Sequence, residues 1–261
     1  MQDAGPILLR TDVDGVSTLT LNRPEARNAL SVALMTKLEA ALAAIAADTS
    51  VKVVVLAANG PAFCAGHDLK EMRALASRDE VAAVFALCSR VMTAIIRLPQ
   101  PVIAKVHAMA TAAGCQLVAS CDLAYAATSA KFATPGVNIG LFCSTPMVAL
   151  SRAVGRKQAM EMLLSGVPVN AATAESWGLI NHAVPPEELD GEVSAMARLI
   201  AGKSAYTLKL GKEAFYRQLE MGLDDAYSHA SKVMTENMLA MDAAEGIDAF
   251  LEKRPPVWRG C

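Results

Sequence analysis

Two short stretches combine small residues with a titratable side chain where a strand gives way to a helix. The first is PAFCAGHDLKEM, residues 61–72, which follows an unbroken apolar run. Gly66 and its small neighbours leave backbone N–H groups free to point outward, and the start of the next helix adds its positive dipole end. Such amides hold a phosphate or a developing oxyanion. An ordinary turn, with Gly66 present for its φ angle, fits the same residues. The second stretch, ATAAGCQLVASCD at 110–122, follows the same logic. Ligands of open α/β sheets bind outside the carboxyl ends of the strands. Two such loops can therefore each offer one amide to a single oxygen.

The titratable groups nearby are few. His67 lies inside the first loop and belongs to the residue type that changes charge near neutrality, or it simply fills space there. Asp68 has the chemistry of a base, but its place beside a helix start makes it a capping residue first. His107 ends an apolar strand and reads as a satisfied core histidine. Cys143, in GLFCSTP, has no basic neighbour to lower its pKa and so is not expected to be a nucleophile. GxSxG, HExxH, the P-loop and GxGxxG are all absent. The histidines 67, 107, 182 and 229 have no metal-ligand spacing, and no metal is expected.

The elements that must position these loops follow from periodicity. Residues 7–13 and 16–22 alternate around Asp14-Gly15, a hairpin signal. Leu30, Leu34, Leu38, Leu42 and Ile45 recur at helical spacing. VKVVVLAA (51–58) predicts a strand buried on both faces. Residues 79–97 predict a helix ended by Pro99 and Pro101, followed by strands at 101–108 and 122–127 with a helix over 112–120 between them. This order is that of an α/β core with largely parallel strands. Beyond Thr145 the pattern is helical almost throughout, with helices expected at 187–201, 203–220, 223–240 and 243–252. The chain divides on this reading into a core, 1–195, and a helical C-terminal region, 196–261, that packs on a neighbour.

Bulk properties exclude several classes. Hydrophobic residues make up 53% of the 261, charged residues 19%, and the formal net charge is −2. That is a core-rich globular composition with no electrostatic reason for nucleic acid as a partner. No run approaches the roughly 18 apolar residues that span a bilayer. The opening MQDAGPILLRTD has neither the basic and apolar regions of a secretory signal nor the Arg-rich character of a transit peptide. Six cysteines without a CxxC pair suit a reducing compartment, and a cytoplasmic location is expected.

LNRPEARNAL (21–30), FCAGHDLKEM (63–72), KVHAMATAAGCQLVASCD (105–122) and FATPGVNIGL (132–141) resemble, in order and spacing, the signature blocks of the crotonase (enoyl-CoA hydratase/isomerase) superfamily. WGLINHAV (177–184) and FLEKRPPVW (250–258) resemble its later landmarks. The resemblance covers essentially the whole chain. ATAAGCQLVASCD with FATPGVNIGLFCSTP is similar in particular to the enoyl-CoA hydratase domain-containing branch typified by the third, mitochondrial paralogue in animals. It implies a spiral of ββα units with a helical C-terminal trimerisation region, and a homotrimer or a hexamer built as a dimer of trimers. It implies an acyl-CoA substrate and no permanently bound cofactor, coenzyme A being part of the thioester. The oxyanion-hole amides would fall on His67 and on Ala113 beside Gly114. The coenzyme A contacts would fall on Glu25, Ala26, Ala65, Asp68, Leu69 and Lys70, with Phe250 and Lys253 reaching a neighbouring subunit's nucleotide. Glu25 stands where a basic residue often meets phosphate.

The two catalytic glutamates of a hydratase align with Gln116 and Gly136. Glutamine has no titratable proton at working pH, and glycine has no side chain. Each acid–base role contributes roughly 10²- to 10⁴-fold, so little hydratase rate is expected. The resemblance leaves open an atypical hydratase, a different crotonase reaction such as decarboxylation or thioester hydrolysis, and a non-catalytic acyl-CoA binding protein. AGHD resembles the oxyanion loop of methylmalonyl-CoA decarboxylase-like members, but their nearby tyrosine is replaced here by Phe142, Cys143 and Ser144.

Overall fold

The computed structural model describes residues 5–261. The reading of the opening residues as free of a leader falls in part on residues 1–4, outside the described residues. The chain begins with the hairpin of β1 (Leu8–Val13) and β2 (Val16–Leu21), closed by Asp14 at φ 50° and Gly15 at φ 78°. Two consecutive positive φ angles twist the chain as antiparallel strands require. Helix α1 (Val32–Ala46) starts at Ser31, whose Oγ accepts the N–H of Leu34 at 3.1 Å, and it buries Leu34, Leu38, Leu42 and Ile45. Strand β3 (Val53–Ala58) leads to the short β4 (Ala62–Cys64), then α2 (Leu69–Ala74) and α3 (Arg78–Arg97). A capping box between Ser77 and Glu80 begins α3.

The pattern then repeats. A long strand, a short strand and a helix follow one another as β5 (Val102–Val106), β6 (Met109–Thr111) and α4 (Ala113–Ser120). They recur as β7 (Leu123–Ala127), β8 (Lys131–Ala133), a 3-10 turn at Pro135–Ile139, and α5 (Pro146–Ala153) with α6 (Arg156–Ser165). Strand β9 (Val169–Asn170), α7 (Ala171–Trp177) and β10 (His182–Val184) complete the coil. The long strands form one sheet in the order β1-β2-β3-β5-β7-β10, parallel from β2 onward. The short ones form a second, β4-β6-β8-β9, in which only β8–β9 is antiparallel. Because β4, β6 and β8 are parallel neighbours, the loops that follow them emerge side by side at one edge.

Helix α8 (Leu189–Ala201) lays Leu189, Val193 and Ala197 over Val53, Val55, Ile103 and Tyr125 on one face of the large sheet. The expected division at 195/196 falls inside this helix, and the next break in helical structure is at 202–204. Helices α9 (Ala205–Gln218), α10 (Leu223–Met238) and α11 (Met241–Glu252) follow. A partly buried ion pair ties this tail to the core: Lys212 Nζ donates to Asp122 Oδ2 at 2.6 Å and to the carbonyls of Ile95 and Gln100 at 3.1 and 3.0 Å. Tyr216 donates to the other carboxylate oxygen at 2.9 Å. Burial pushes Lys212 below its ordinary pKa, opposed by the Asp122 charge.

Candidate functional site

The first strand-to-helix crossing runs from Cys64 to Leu69. Leu30 forms a parallel bridge with His67, donating to Gly66 O at 2.7 Å and accepting from Asp68 N at 3.2 Å. Since both backbone groups of Leu30 are engaged by the residues flanking His67, the N–H of His67 faces the opposite side. Gly66 sits at φ +89°, and a Cβ there would lie 2.9 Å from Ala112 Cβ and 3.4 Å from Ala113 N. Only a residue without a side chain lets the first two loops come this close.

The second crossing holds Ala112 at φ 50°, ψ −119°, a conformation L residues rarely adopt. Its N–H donates to Ala133 O at 2.9 Å, and its carbonyl accepts Gln116 N at 3.0 Å. The first in-helix bond of α4 therefore comes from Gln116, which leaves the N–H groups of Ala113 and its next neighbours as the open end of the helix. Gly114 backs onto the Cys64 carbonyl without room for a side chain. Gln116 is 4% exposed, and its Oε1 lies 4.0 Å from the thiol of Cys88 on α3.

Gly136 lies in the third crossing. A Cβ on it would stand 2.5 Å from the carbonyl oxygen of Leu141 and 2.9 Å from Cys143 Sγ. The turn is closed by Leu141 N donating to Gly136 O at 2.9 Å. Backbone thus occupies the space where a side chain at 136 would begin. Burial raises the Cys143 thiol, opposed more weakly by Gly136, so it is a neutral packing group and not a thiolate. Phe142 and Ser144 are exposed, and the Ser144 hydroxyl turns back to Phe142 O at 3.4 Å.

The residues expected to meet coenzyme A separate into two groups. Glu25 and Ala26 lie in a 3-10 turn (Pro24–Ala26) that is stitched to the 65–70 loop. Ala65 N donates to Arg27 O at 3.1 Å, and Arg23 pairs with Asp68 at 3.1 Å. Asp68 caps α2, accepting from Lys70 N and Glu71 N. Burial raises its pKa, but Arg23 and those amides outweigh this and hold the carboxyl below its ordinary range. Ala65, Leu69 and Lys70 are exposed on the same rim. Phe250 and Lys253 are not on it: α11 packs chiefly on α9 and α10, and Phe250 is 82% exposed.

Two residues of this rim were not singled out from the sequence. Asn28, fully buried, donates to Asn59 O and Ala62 O at 2.7 and 2.8 Å and accepts Arg23 N at 2.8 Å. Arg23 also donates to Ala29 O at 2.5 Å. The signal available was the polar Arg23 and Asn28 within the 21–30 block, whose partners lie far along the chain. His107 is satisfied, its Nε2 lying 2.8 Å from Gly60 O, but it is half-buried and stands outside the core, against the expectation of a core histidine. A cavity of about 340 Å³ opens beside the first crossing, walled by Leu30, Val32, Met72, Leu75 and Val84 with Glu71 and Glu80 at its polar side. Among the described residues, no three His, Cys, Asp or Glu side chains cluster as metal ligands would.

A coil of ββα turns followed by packed helices, with successive strand-to-helix crossings meeting at one edge, is the crotonase fold. The enoyl-CoA hydratase/isomerase family model matches residues 11–261, and the chain belongs to that family. Enoyl-CoA hydratase domain-containing protein 3, mitochondrial, of Rattus norvegicus is 49% identical over 245 residues, covering 94% of this chain and 82% of that protein. The solved structure of the human protein of that name is 48% identical with a TM-score of 0.95, covering 97% of this chain and all of that one (100%). An enoyl-CoA hydratase structure from Mycobacterium smegmatis is 56% identical, also at TM-score 0.95, over 97% and 99% of the two chains. The expectation of a cytoplasmic protein is corrected here, because the vertebrate relatives carry mitochondrial names. Unpaired cysteines point to a reducing environment, and the cytoplasm is only one such compartment.

Proposed function

We propose that the chain binds an acyl-CoA thioester and stabilises the oxyanion of its enolate with the N–H groups of His67 and Ala113, without the paired carboxylates of a hydratase. The observation that carries this reading is the approach of the first two crossings at Gly66 and Ala112–Ala113. Preorganised amides at a developing oxyanion are worth more than the same donors in water, because they need no reorganisation. The substrate's nucleotide end lies on the rim of Glu25, Ala26, Ala65, Asp68, Leu69 and Lys70. Phe250 and Lys253 serve the same ligand from a neighbouring subunit, and a homotrimer or dimer of trimers is the assembly that allows it. In this reading the core (1–195) carries the site and the helical region (196–261) the subunit contacts. Exposed Leu223, Tyr227, Leu239, Phe250 and Leu251 on the tail favour such an assembly. No permanently held cofactor is needed.

Gly136 favours a reaction other than hydration. A reaction that needs an enolate but no base to create it fits a site with amides and no carboxylates. In decarboxylation the C–C bond to the carboxylate breaks, its electron pair moves to the thioester oxygen, carbon dioxide leaves, and solvent returns a proton to Cα. Gln116 can hold a water by hydrogen bonds but cannot take its proton.

Purified protein with crotonyl-CoA, followed by enoyl-thioester absorbance, tests the first point. Turnover of about 10 s⁻¹, a common enzyme rate, would show that another group replaces the glutamates. Coenzyme A binding with no absorbance change is the expected outcome. On any substrate that is consumed, His67→Pro removes one donor and should lower kcat by about 10²- to 10³-fold. Undiminished turnover in that variant would remove the hole from the reading.

A further inference from the structure

Asp242 is the most deeply buried charged residue among those described, with 1% exposure. A carboxylate taken out of water is costly unless hydrogen bonds satisfy it. Here Ser204 Oγ and Gly260 N donate to Oδ2 at 2.5 and 3.0 Å, and Arg259 N donates to Oδ1 at 2.7 Å. Asp242 N in turn donates to Cys261 O at 2.9 Å. Residues 254–261 therefore run back along α11 from the left-handed turn at Lys253 (φ 56°). Glu245 accepts from Arg254 and from Val257 N, Trp258 covers Gly246, and Asp242 grips residues 259–261 at the first turn of the helix. The same strap meets the rest of the chain at the break between α8 and α9. Trp258 Nε1 donates to Gly202 O at 2.8 Å, and Ser204, the cap of α9, accepts Thr207 N at 3.2 Å while donating to Asp242.

We infer that Asp242 is a positioning residue: it latches residues 254–261 onto α11, and the latched helix presents Phe250 and Lys253 to the neighbouring subunit's coenzyme A. This role rests on the proposed reading in which those two side chains serve a neighbour's ligand. Helix α11 has 12 residues and buries only Asp242 and Ala249, so its own packing defines its direction poorly. The latch supplies the missing reference. Helix α8 lies on the large sheet and α9 is held by Lys212, so the joint at 202–204 moves with the subunit's core. Tying the first turn of α11 and the strap beyond its end to that joint fixes the angle at which Phe250 and Lys253 leave the subunit. Lys253 is also the turning residue, and its left-handed backbone is unfavourable for a residue with a Cβ unless the returning strap holds it there. A carboxylate cage that merely closed the end of α11 would set no contact in another subunit.

Calorimetric binding of butyryl-CoA to wild type, Asp242→Ala, Phe250→Ala/Lys253→Ala and the triple variant tests this as a thermodynamic cycle. Phe250→Ala/Lys253→Ala should weaken binding about 5- to 10-fold, the worth of one or two contacts. Asp242→Ala should weaken it by a similar factor with both ligand-facing side chains still present, and Trp258 fluorescence should report the open strap. In the triple variant Asp242→Ala should add almost nothing further, an outcome that a general loss of stability would not give. Trp258→Phe removes only the bond to Gly202 and should give a smaller loss, about 2- to 3-fold, which keeps the test in force if Asp242→Ala does not fold. Unchanged affinity in Asp242→Ala, or in Trp258→Phe where Asp242→Ala is unfolded, overturns the inference. So does an Asp242→Ala loss of equal size with and without Phe250 and Lys253. Unchanged affinity in Phe250→Ala/Lys253→Ala removes the neighbour contact and the latch's role with it, and leaves the oxyanion-hole reading standing. Failure of wild type to bind butyryl-CoA, or coenzyme A itself, overturns both.

Discussion

Restoring a carboxylate at position 136 is the obvious way to try to make this chain a hydratase, and the structure argues that it will fail for a steric reason. The Cβ of any residue at 136 would sit 2.5 Å from Leu141 O and 2.9 Å from Cys143 Sγ. The first of these is main chain, so the turn over 136–143 must move as a whole. That movement gives up the Leu141 N–Gly136 O bond of 2.9 Å. Overpacking of a tight site costs about 1–3 kcal/mol, and a lost hydrogen bond adds about 1 kcal/mol. Gly136→Ala should therefore destabilise by about 2–4 kcal/mol, which for a chain of this size lowers Tm by roughly 4–16 °C. Thermal denaturation by circular dichroism measures this. The double variant Gln116→Glu/Gly136→Glu should remain without crotonyl-CoA hydration, because a displaced turn no longer aims its carboxylate. A Gly136→Ala variant melting within a degree of wild type would refute the packing argument. Hydration by the double variant at about 10 s⁻¹ would refute the geometric one.

Other perturbations have readable outcomes. Lys212→Met leaves the partly buried Asp122 with Tyr216 and the N–H of Val102 but without its cation, and should cost about 1–3 kcal/mol in urea denaturation, whereas a surface ion pair would cost almost nothing. Asn28→Ala strands the carbonyls of Asn59 and Ala62 and the N–H of Arg23. It should destabilise by about 2–4 kcal/mol and weaken coenzyme A binding in a calorimeter. Arg254 and the N–H of Val257 hold the Glu245 carboxyl down to about 2, from an ordinary 4.5. Its stabilising effect is present above pH 4.5 and fades as pH falls toward 2. Fluorescence of Trp258, which packs on Gly246, should report release of the last residues within that window in wild type. Glu245→Gln should have lost this transition.

The long elements were legible because each carries a period or a cap. The hairpin showed through Asp14-Gly15, α1 through its leucine spacing, and β3 through an apolar run buried on both faces. The second sheet was not legible: β4, β6, β8 and β9 are two or three residues long, too short to display alternation. Yet those fragments are what align the three crossings. The tail helices were readable from their pattern, but not the Lys212–Asp122 pair, whose members stand 90 positions apart. Small residues at 65–66 and 112–114 announced two helix starts with free amides, while their mutual approach depends on strand pairing that sequence spacing does not reveal. The absence of carboxylates at 116 and 136 came from the resemblance, and the occupation of the 136 site by main chain from the structure alone. Location was misjudged because cysteine usage reports redox state and carries no address.

The parallel register of β4, β6 and β8 also has a consequence for how such a chain can vary. Each of the three crossings is one step of a stair, and each step is fixed in height by two or three paired residues. Adding a residue between strand and helix at any step would rotate one amide or one turn away from the others. Adding residues on the far side of the coil, where α3 returns to β5 or α7 returns to β10, leaves the stair untouched. Length changes among descendants of this chain are therefore expected to collect on the return side, so that new surfaces can be tried there while the geometry of the steps is inherited unchanged.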